Sequence, residues 1–119
     1  EMNGRLLCDG GYTSPVPIDA VTTLGANVVI AVDVSQRGIA VSELGNGVEI
    51  AMRSSEISLI ALEQEQLRRA DSVISARGQN RHWSDFSQPE EAIHAGEVAC
   101  EQMLDSIRGV IDERSRLFL

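Results

Sequence analysis

Val28-Val-Ile-Ala-Val32, the body of an expected strand over residues 28–34 that Asp33 closes, is the stretch on which the fold turns. It is continuous and rich in β-branched residues, with no polar alternation, as expected of a strand buried on both faces. Such a strand belongs to a parallel sheet covered by helices. Upstream, residues 17–24 place Ile18, Val21 and Leu24 on one side of a short helix, and Gly25 stands where a C′ glycine ends one. Before that helix, Leu6-Leu7-Cys8 reads as a further strand. Downstream, residues 35–47 hold three glycines without a clear period and read as a loop.

Residues 48–70 read as the longest helix. Val48, Met52, Leu59 and Leu62 form one apolar face, and Ile50, Ile57, Ile60 and Leu67 form another. So wide a stripe predicts burial between layers or against a partner. The helix's second half is solvated, with Glu65 and Arg69 spaced to pair across one turn. Residues 72–76 read as a strand, and residues 77–87 as a polar loop with Trp83 and Phe86. Ser87-Gln-Pro-Glu90 fits a capping box. Ile93, Gly96, Cys100, Met103, Ile107 and Val110 follow at spacings of three and four, an amphipathic stripe whose glycine predicts close approach to a neighbour. Residues 114–119 have no clear assignment. The order β-α-β-α-β-α predicts an α/β fold: a mainly parallel sheet, right-handed crossovers and helices on both faces. Three strands make a thin sheet with open edges, which leaves apolar surface for a further part of the domain or a second copy of the chain.

Composition narrows the chemistry. The 119 residues suit one domain, and a net charge of −8 argues against nucleic acid as a partner. All ten basic residues are Arg, which excludes a Schiff-base or P-loop lysine within this sequence. Cys8 and Cys100 form no metal-binding or redox pair and are expected to be buried free thiols of a reducing, cytoplasmic compartment. No stretch is long and apolar enough to span a membrane. His82 and His94 lie twelve apart, lack zinc-ligand spacing, and read as surface or helix-edge residues. No metal and no cofactor is expected.

Asp9-Gly10-Gly11 stands where the first expected strand ends and the chain turns. In open α/β sheets the carboxyl ends of strands are where chemistry sits, and a carboxylate there can act as a base or as an orienting group. The plainer reading of the tripeptide is a turn whose aspartate caps its own backbone. Asp33 also ends a strand, and is expected to bind amides of the loop that follows. Arg77 and Arg81 flank the two loop aromatics and could meet phosphate headgroups, although a solvated loop explains them as well.

The wider sequence resembles the patatin-like phospholipase family, in its bacterial and neuropathy-target-esterase-like branch. The residues that carry the likeness run in order: Cys8-Asp-Gly-Gly-Tyr-Thr-Ser-Pro-Val-Pro-Ile-Asp-Ala-Val21, Leu24-Gly-Ala-Asn-Val-Val-Ile-Ala-Val-Asp-Val-Ser35, Ala70-Asp-Ser-Val-Ile74, Trp83-Ser-Asp-Phe86 and Ile93-His-Ala-Gly96. The resemblance implies part of a three-layer α/β/α domain that hydrolyses phospholipid, lysophospholipid or simpler acyl esters with a Ser–Asp dyad. Asp9 maps onto the dyad aspartate, and Gly10 and Gly11 complete its motif. The sequence departs from the family in lacking a G-x-S-x-G turn and a glycine-rich oxyanion loop; Ser14, Ser35 and Ser42 have no flanking glycines of that kind. The expectation is therefore that residues 1–119 form the C-terminal part of such a domain, inactive alone, without the nucleophile-bearing N-terminal part. Its expected partners are that missing part, a lipid or acyl-ester substrate and a peripheral membrane surface. The alternative is a non-catalytic α/β binding or regulatory module in which the Asp-Gly-Gly sequence is only a turn. A third arrangement is an enzyme split between two chains.

Overall fold

Hydrophobic cover and backbone pairing meet at two short parallel strands. The computed structural model describes residues 1–35, 46–76 and 86–117. Within them the elements are α1 (Ile18–Thr23), β1 (Ile30–Asp33), α2 (Gly47–Leu67), β2 (Ser72–Ser75) and α3 (Pro89–Arg116), preceded by a 3-10 turn over Gly10–Tyr12. The strands pair in parallel, with Ile30 opposite Ser72 and Asp33 opposite Ser75. An α/β fold is thus present, with a sheet of two strands among the described residues.

Strand alternation sorts the packing. Ala31 is buried and packs with Ile18 of α1 and Leu67 of α2; Val16, Val29, Ala70 and Val73 close around them. Ile74 points from the other face of β2, the strand on which α3 packs, and both Ile74 and Ile107 of α3 are buried. On β1 that second face is not covered: Val32 is 54% exposed. The carbonyls of Val29 and Asp33 accept from Asp71 and Ala76, on the β2 side. By alternation, the amides and carbonyls of Ile30 and Val32 face the opposite edge, where the described residues supply no strand.

Helix ends follow their local chemistry. Gly25 has φ +99°, its N–H donates to the Thr22 carbonyl at 3.0 Å, and the Ala26 N–H donates to the Val21 carbonyl at 3.1 Å. These two bonds form a Schellman close to α1, and glycine is needed there because only it adopts positive φ without a Cβ clash. At α2, the Asn46 side chain accepts from the amides of Val48 and Glu49, both at 3.0 Å. The N-cap of α3 is Gln88, one residue after the Ser87 expected to open the capping box, and its side chain makes no cap bond. Pro89 at the first turn instead preorganises the entry. The helix then runs to Arg116, into the first residues of the segment 114–119 that carried no sequence assignment.

Several other expectations are corrected. Residues 6–8 form no strand: Leu6 is 90% exposed and nothing described pairs beside it. A strand needs a neighbour for its backbone polar groups. Here the N-terminal segment spends two such bonds on a local turn, the Met2 and Arg5 amides each donating to the other's carbonyl at 3.0 Å across Asn3-Gly4. Cys8 is exposed and Cys100 half-buried, so the thiols are free but not buried as expected. Gly96 has open space where a Cβ would stand, so no close approach requires it. Glu65 pairs with Arg68, while Arg69 reaches Asp19 of α1. Among the described residues the apolar faces of α2 are unevenly covered: Leu67 is buried and Leu59, Ile60 and Leu62 are half-buried, whereas Val48, Ile50, Met52 and Ile57 are exposed.

Asp71 ties three elements together. Its Oδ2 accepts from the Val29 amide at 2.9 Å, its own N–H donates to the Val29 carbonyl at 2.9 Å, and Oδ1 accepts from Arg114 of α3 at 2.8 Å. The Val29 amide first, and the Arg114 guanidinium after it, hold the Asp71 carboxyl below the usual carboxylate range against an opposing effect of burial. A folded-state pKa below the unfolded value, which is about 4, makes this contribution full above pH about 4 and removes it as pH falls through the lower folded value.

Two measurements check this account. Gly25→Ala is expected to lower unfolding stability by about 1 kcal/mol, read from urea denaturation, because alanine resists positive φ. Asp71→Asn is expected to flatten the loss of stability below pH 4 in an acid titration followed by circular dichroism. An unchanged acid limb would show that other carboxylates produce it.

Candidate functional site

Asp9 opens the 3-10 turn at Gly10–Tyr12 and caps it with its side chain. Oδ1 accepts from the Gly11 amide at 2.8 Å. The Gly10 carbonyl accepts from the Thr13 and Ser14 amides at 3.0 and 2.9 Å and from the Thr13 hydroxyl at 3.2 Å. Asp9 is exposed to solvent, and among the described residues Oδ2 accepts no hydrogen bond. One carboxylate oxygen is therefore oriented by an amide while the other faces outward. This local cap is also the arrangement that a purely structural Asp-Gly-Gly turn makes.

The two glycines do different things. Neither adopts positive φ, so the left-handed freedom usually offered by glycine is not what this turn uses. A Cβ on Gly11 would lie 3.2 Å from Asp9 Oδ1, whereas one on Gly10 would meet open space. Gly11 thus leaves room for the carboxylate it hydrogen-bonds. Asp9 ends no strand here, since residues 6–8 pair with nothing described; the turn is positioned from its C-terminal side instead.

That positioning comes from α2. Gln66 is buried, its Oε1 accepts from the Val16 amide at 2.9 Å, and its Nε2 donates to Ser14 Oγ at 3.2 Å. Immediately after these residues, Ile18 is anchored in the core at 4% exposure. The apolar groove beside Pro15–Ile18, with a volume of about 270 Å³, is lined by apolar side chains and carries no titratable group. It offers shape without chemistry of its own.

Asp33 lies at the end of β1 and is almost fully buried. Its Oδ1 accepts from the Ser35 amide at 2.9 Å and also from the Ser35 hydroxyl, the loop-binding role expected of it. This contact is local, within one turn, and closes the strand end. His94 lies on exposed α3 surface with Nδ1 3.7 Å from Glu97 Oε2, in keeping with a helix-surface histidine. Phe86 is 81% exposed. His82, Trp83, Arg77, Arg81 and Ser42 lie outside the described residues. Among the described residues no cluster of His, Cys, Asp and Glu is arranged to hold a metal ion, and no helix is long and apolar enough to cross a membrane.

Gln66, Asp71 and Arg114 were not singled out by pattern. Gln66 sits in the polar run Glu63-Gln-Glu-Gln-Leu-Arg-Arg69, where nothing distinguishes it from Gln64. Its only sequence signal is adjacency to Leu67, which shares the buried end of the helix.

Gly11→Ala is expected to push the Asp9 carboxylate from its amide and speed hydrogen exchange at residue 11, while Gly10→Ala leaves that rate unchanged. Equal rates in the two variants would deny Gly11 its spacing role.

Comparison with known proteins finds short stretches of likeness. Patatin-like phospholipase domain-containing protein 7 of Rattus norvegicus is 51% identical over 35 residues, which is 29% of this chain and 3% of that protein. The Mus musculus protein of the same name matches at the same identity over the same length. A patatin-like phospholipase domain-containing protein of Caenorhabditis elegans is 56% identical over 32 residues, 27% of this chain and 3% of the relative. The matched stretch is thus a small fraction of these relatives, and it relates the chain to proteins named for a lipid hydrolase domain. No protein-family profile matches the chain. No solved structure matches it.

Proposed function

We propose that this chain is the aspartate-bearing part of a patatin-like lipid acyl hydrolase, acting on carboxylic esters through a Ser–Asp dyad whose serine lies outside residues 1–119. The observation that carries the reading is the Asp9 carboxylate: exposed, with Oδ1 held on the Gly11 amide and Oδ2 accepting nothing among the described residues. The short likeness to patatin-like phospholipase domain proteins supports the same reading. A serine hydroxyl is a weak nucleophile until a positioned base takes its proton, and a carboxylate oriented on one oxygen can do this with the other.

The chemistry would run in two halves. Asp9 Oδ2 takes the proton as serine Oγ attacks the ester carbonyl carbon. Collapse of the tetrahedral species breaks the bond to the leaving alcohol, which receives that proton. In the second half, water attacks the acyl-serine, Asp9 again accepts the proton, and it returns to serine Oγ as the acid departs. No metal or cofactor enters either half. Leu6, Leu7 and Tyr12 flank Asp9 and are 90%, 58% and 66% exposed, an apolar surround that suits an acyl ester or the cover of the remaining part of the domain. The apolar surface left open on β1 and α2 likewise suits further cover by that part, by a second copy or at a membrane surface.

A second reading, a non-catalytic α/β module, is favoured by one observation: the Asp9–Gly11 bond is complete as a turn without any further partner. Substitution separates the two. Asp9→Asn in the longer polypeptide that carries the serine is expected to reduce ester turnover by about 10²- to 10⁴-fold, the usual share of a positioned base, with the circular dichroism spectrum unchanged. Undiminished hydrolysis of a p-nitrophenyl acyl ester by that variant would favour the module.

A further inference from the structure

We infer that Gln66 of α2 is the positioning residue of the Asp9 turn, an inference that rests on the reading of Asp9 as a general base. The argument begins with an unequal distribution of anchors. On its N-terminal side nothing among the described residues supports the turn: residues 6–8 pair with none of them, and Leu6 is 90% exposed. Its support comes from the C-terminal side, through a polar side chain that the fold has buried.

Gln66 is 8% exposed, and burying an amide is unfavourable unless both ends are satisfied. Both are: Oε1 takes the Val16 N–H at 2.9 Å and Nε2 gives to Ser14 Oγ at 3.2 Å. These partners lie 50 and 52 residues away in sequence, so the contact fixes the segment against a different element and not against itself. Ser14 in turn donates its N–H to the Gly10 carbonyl at 2.9 Å, and Gly10 is bonded covalently to Asp9. A short chain of bonds thus runs from the buried end of α2 to the carboxylate. Gln64, two residues earlier on the same helix, is exposed and has no such bond.

A side chain that touches neither substrate nor carboxylate acts through geometry. Displacing a base by about 1 Å can cost about 10²-fold in turnover, while substrate affinity is set elsewhere. Removing Gln66 should therefore lower kcat more than it alters KM.

The experiment uses the longer polypeptide that carries the serine, together with the 119-residue chain. Gln66→Met is expected to lower kcat about 10- to 100-fold with KM within about twofold. Gln66→Glu keeps an acceptor for the Val16 N–H and, with the Ser14 hydroxyl now donating, is expected to recover most of the loss. Gln64→Met should match the wild type. In the 119-residue chain, hydrogen exchange at the Thr13 and Ser14 amides should be about tenfold faster in Gln66→Met, the factor expected from releasing about one hydrogen bond. A folded Gln66→Met enzyme with kcat within about twofold of wild type overturns the inference, and so do unchanged Thr13 and Ser14 exchange rates. Loss of turnover in Asp9→Asn beside normal turnover in Gln66→Met rejects the role of Gln66 alone. Full turnover in Asp9→Asn rejects the general-base reading and, with it, a positioning role for Gln66.

Discussion

The exchange of hydrogen bonds between Val29 and Asp71 is the constraint on which the structure depends. One residue supplies three contacts: its amide to the Val29 carbonyl, one carboxylate oxygen to the Val29 amide, and the other to Arg114 at the far end of α3. Parallel strands four residues long have few ladder bonds of their own, so a side chain that reinforces the pairing at its entry sets the register for the rest. With Val29 beside Asp71, Ala31 falls opposite Val73 and joins Ile18 and Leu67, and Ile74 is left for the face that meets α3. A slip by one residue would exchange these faces.

Around that pairing the core is small. Among the described residues Ile18, Ala31, Leu67, Ile74 and Ile107 are its buried apolar members, and Val48, Ile50, Met52 and Ile57 in the first half of α2 are exposed. The long helices are thus held at restricted places, α2 near its C-terminal end and α3 along β2. Surface ion pairs such as Arg69 with Asp19 add little to this, because both side chains remain largely solvated. Burial and the Asp71 bonds carry the arrangement.

The Asp9 turn draws on the same frame from a distance. It is exposed, yet it is no free loop: Ile18 anchors the chain that leaves it, and Gln66 holds Ser14 and Val16. Exposed reactive groups on loops need such rigid support if they are to keep one orientation. The Gly11 amide then orients the carboxylate itself. Two polar side chains, Asp71 and Gln66, therefore have parallel tasks: one aligns strands, and the other connects a turn to the core.

The sequence by itself determined the helices, the two strands and the αL close at Gly25, because each depends on periodicity or on a residue with special backbone freedom. The Val28 to Val32 run marked a strand, although only the Ala31 face of it is covered and not both faces as expected, and the spacing of Cys100, Met103 and Ile107 marked the inner side of α3. It also pointed to Asp9 and Asp33, since a carboxylate two residues before an available amide makes the same local cap almost anywhere. The expected strand at residues 6–8 failed because an apolar run states a preference, and a strand exists only where a neighbour accepts its bonds. Gln66 and Asp71 were decided by tertiary structure alone. Their bonds span 42 to 52 residues, and no local pattern encodes which distant amide a polar side chain will meet once the strands have paired.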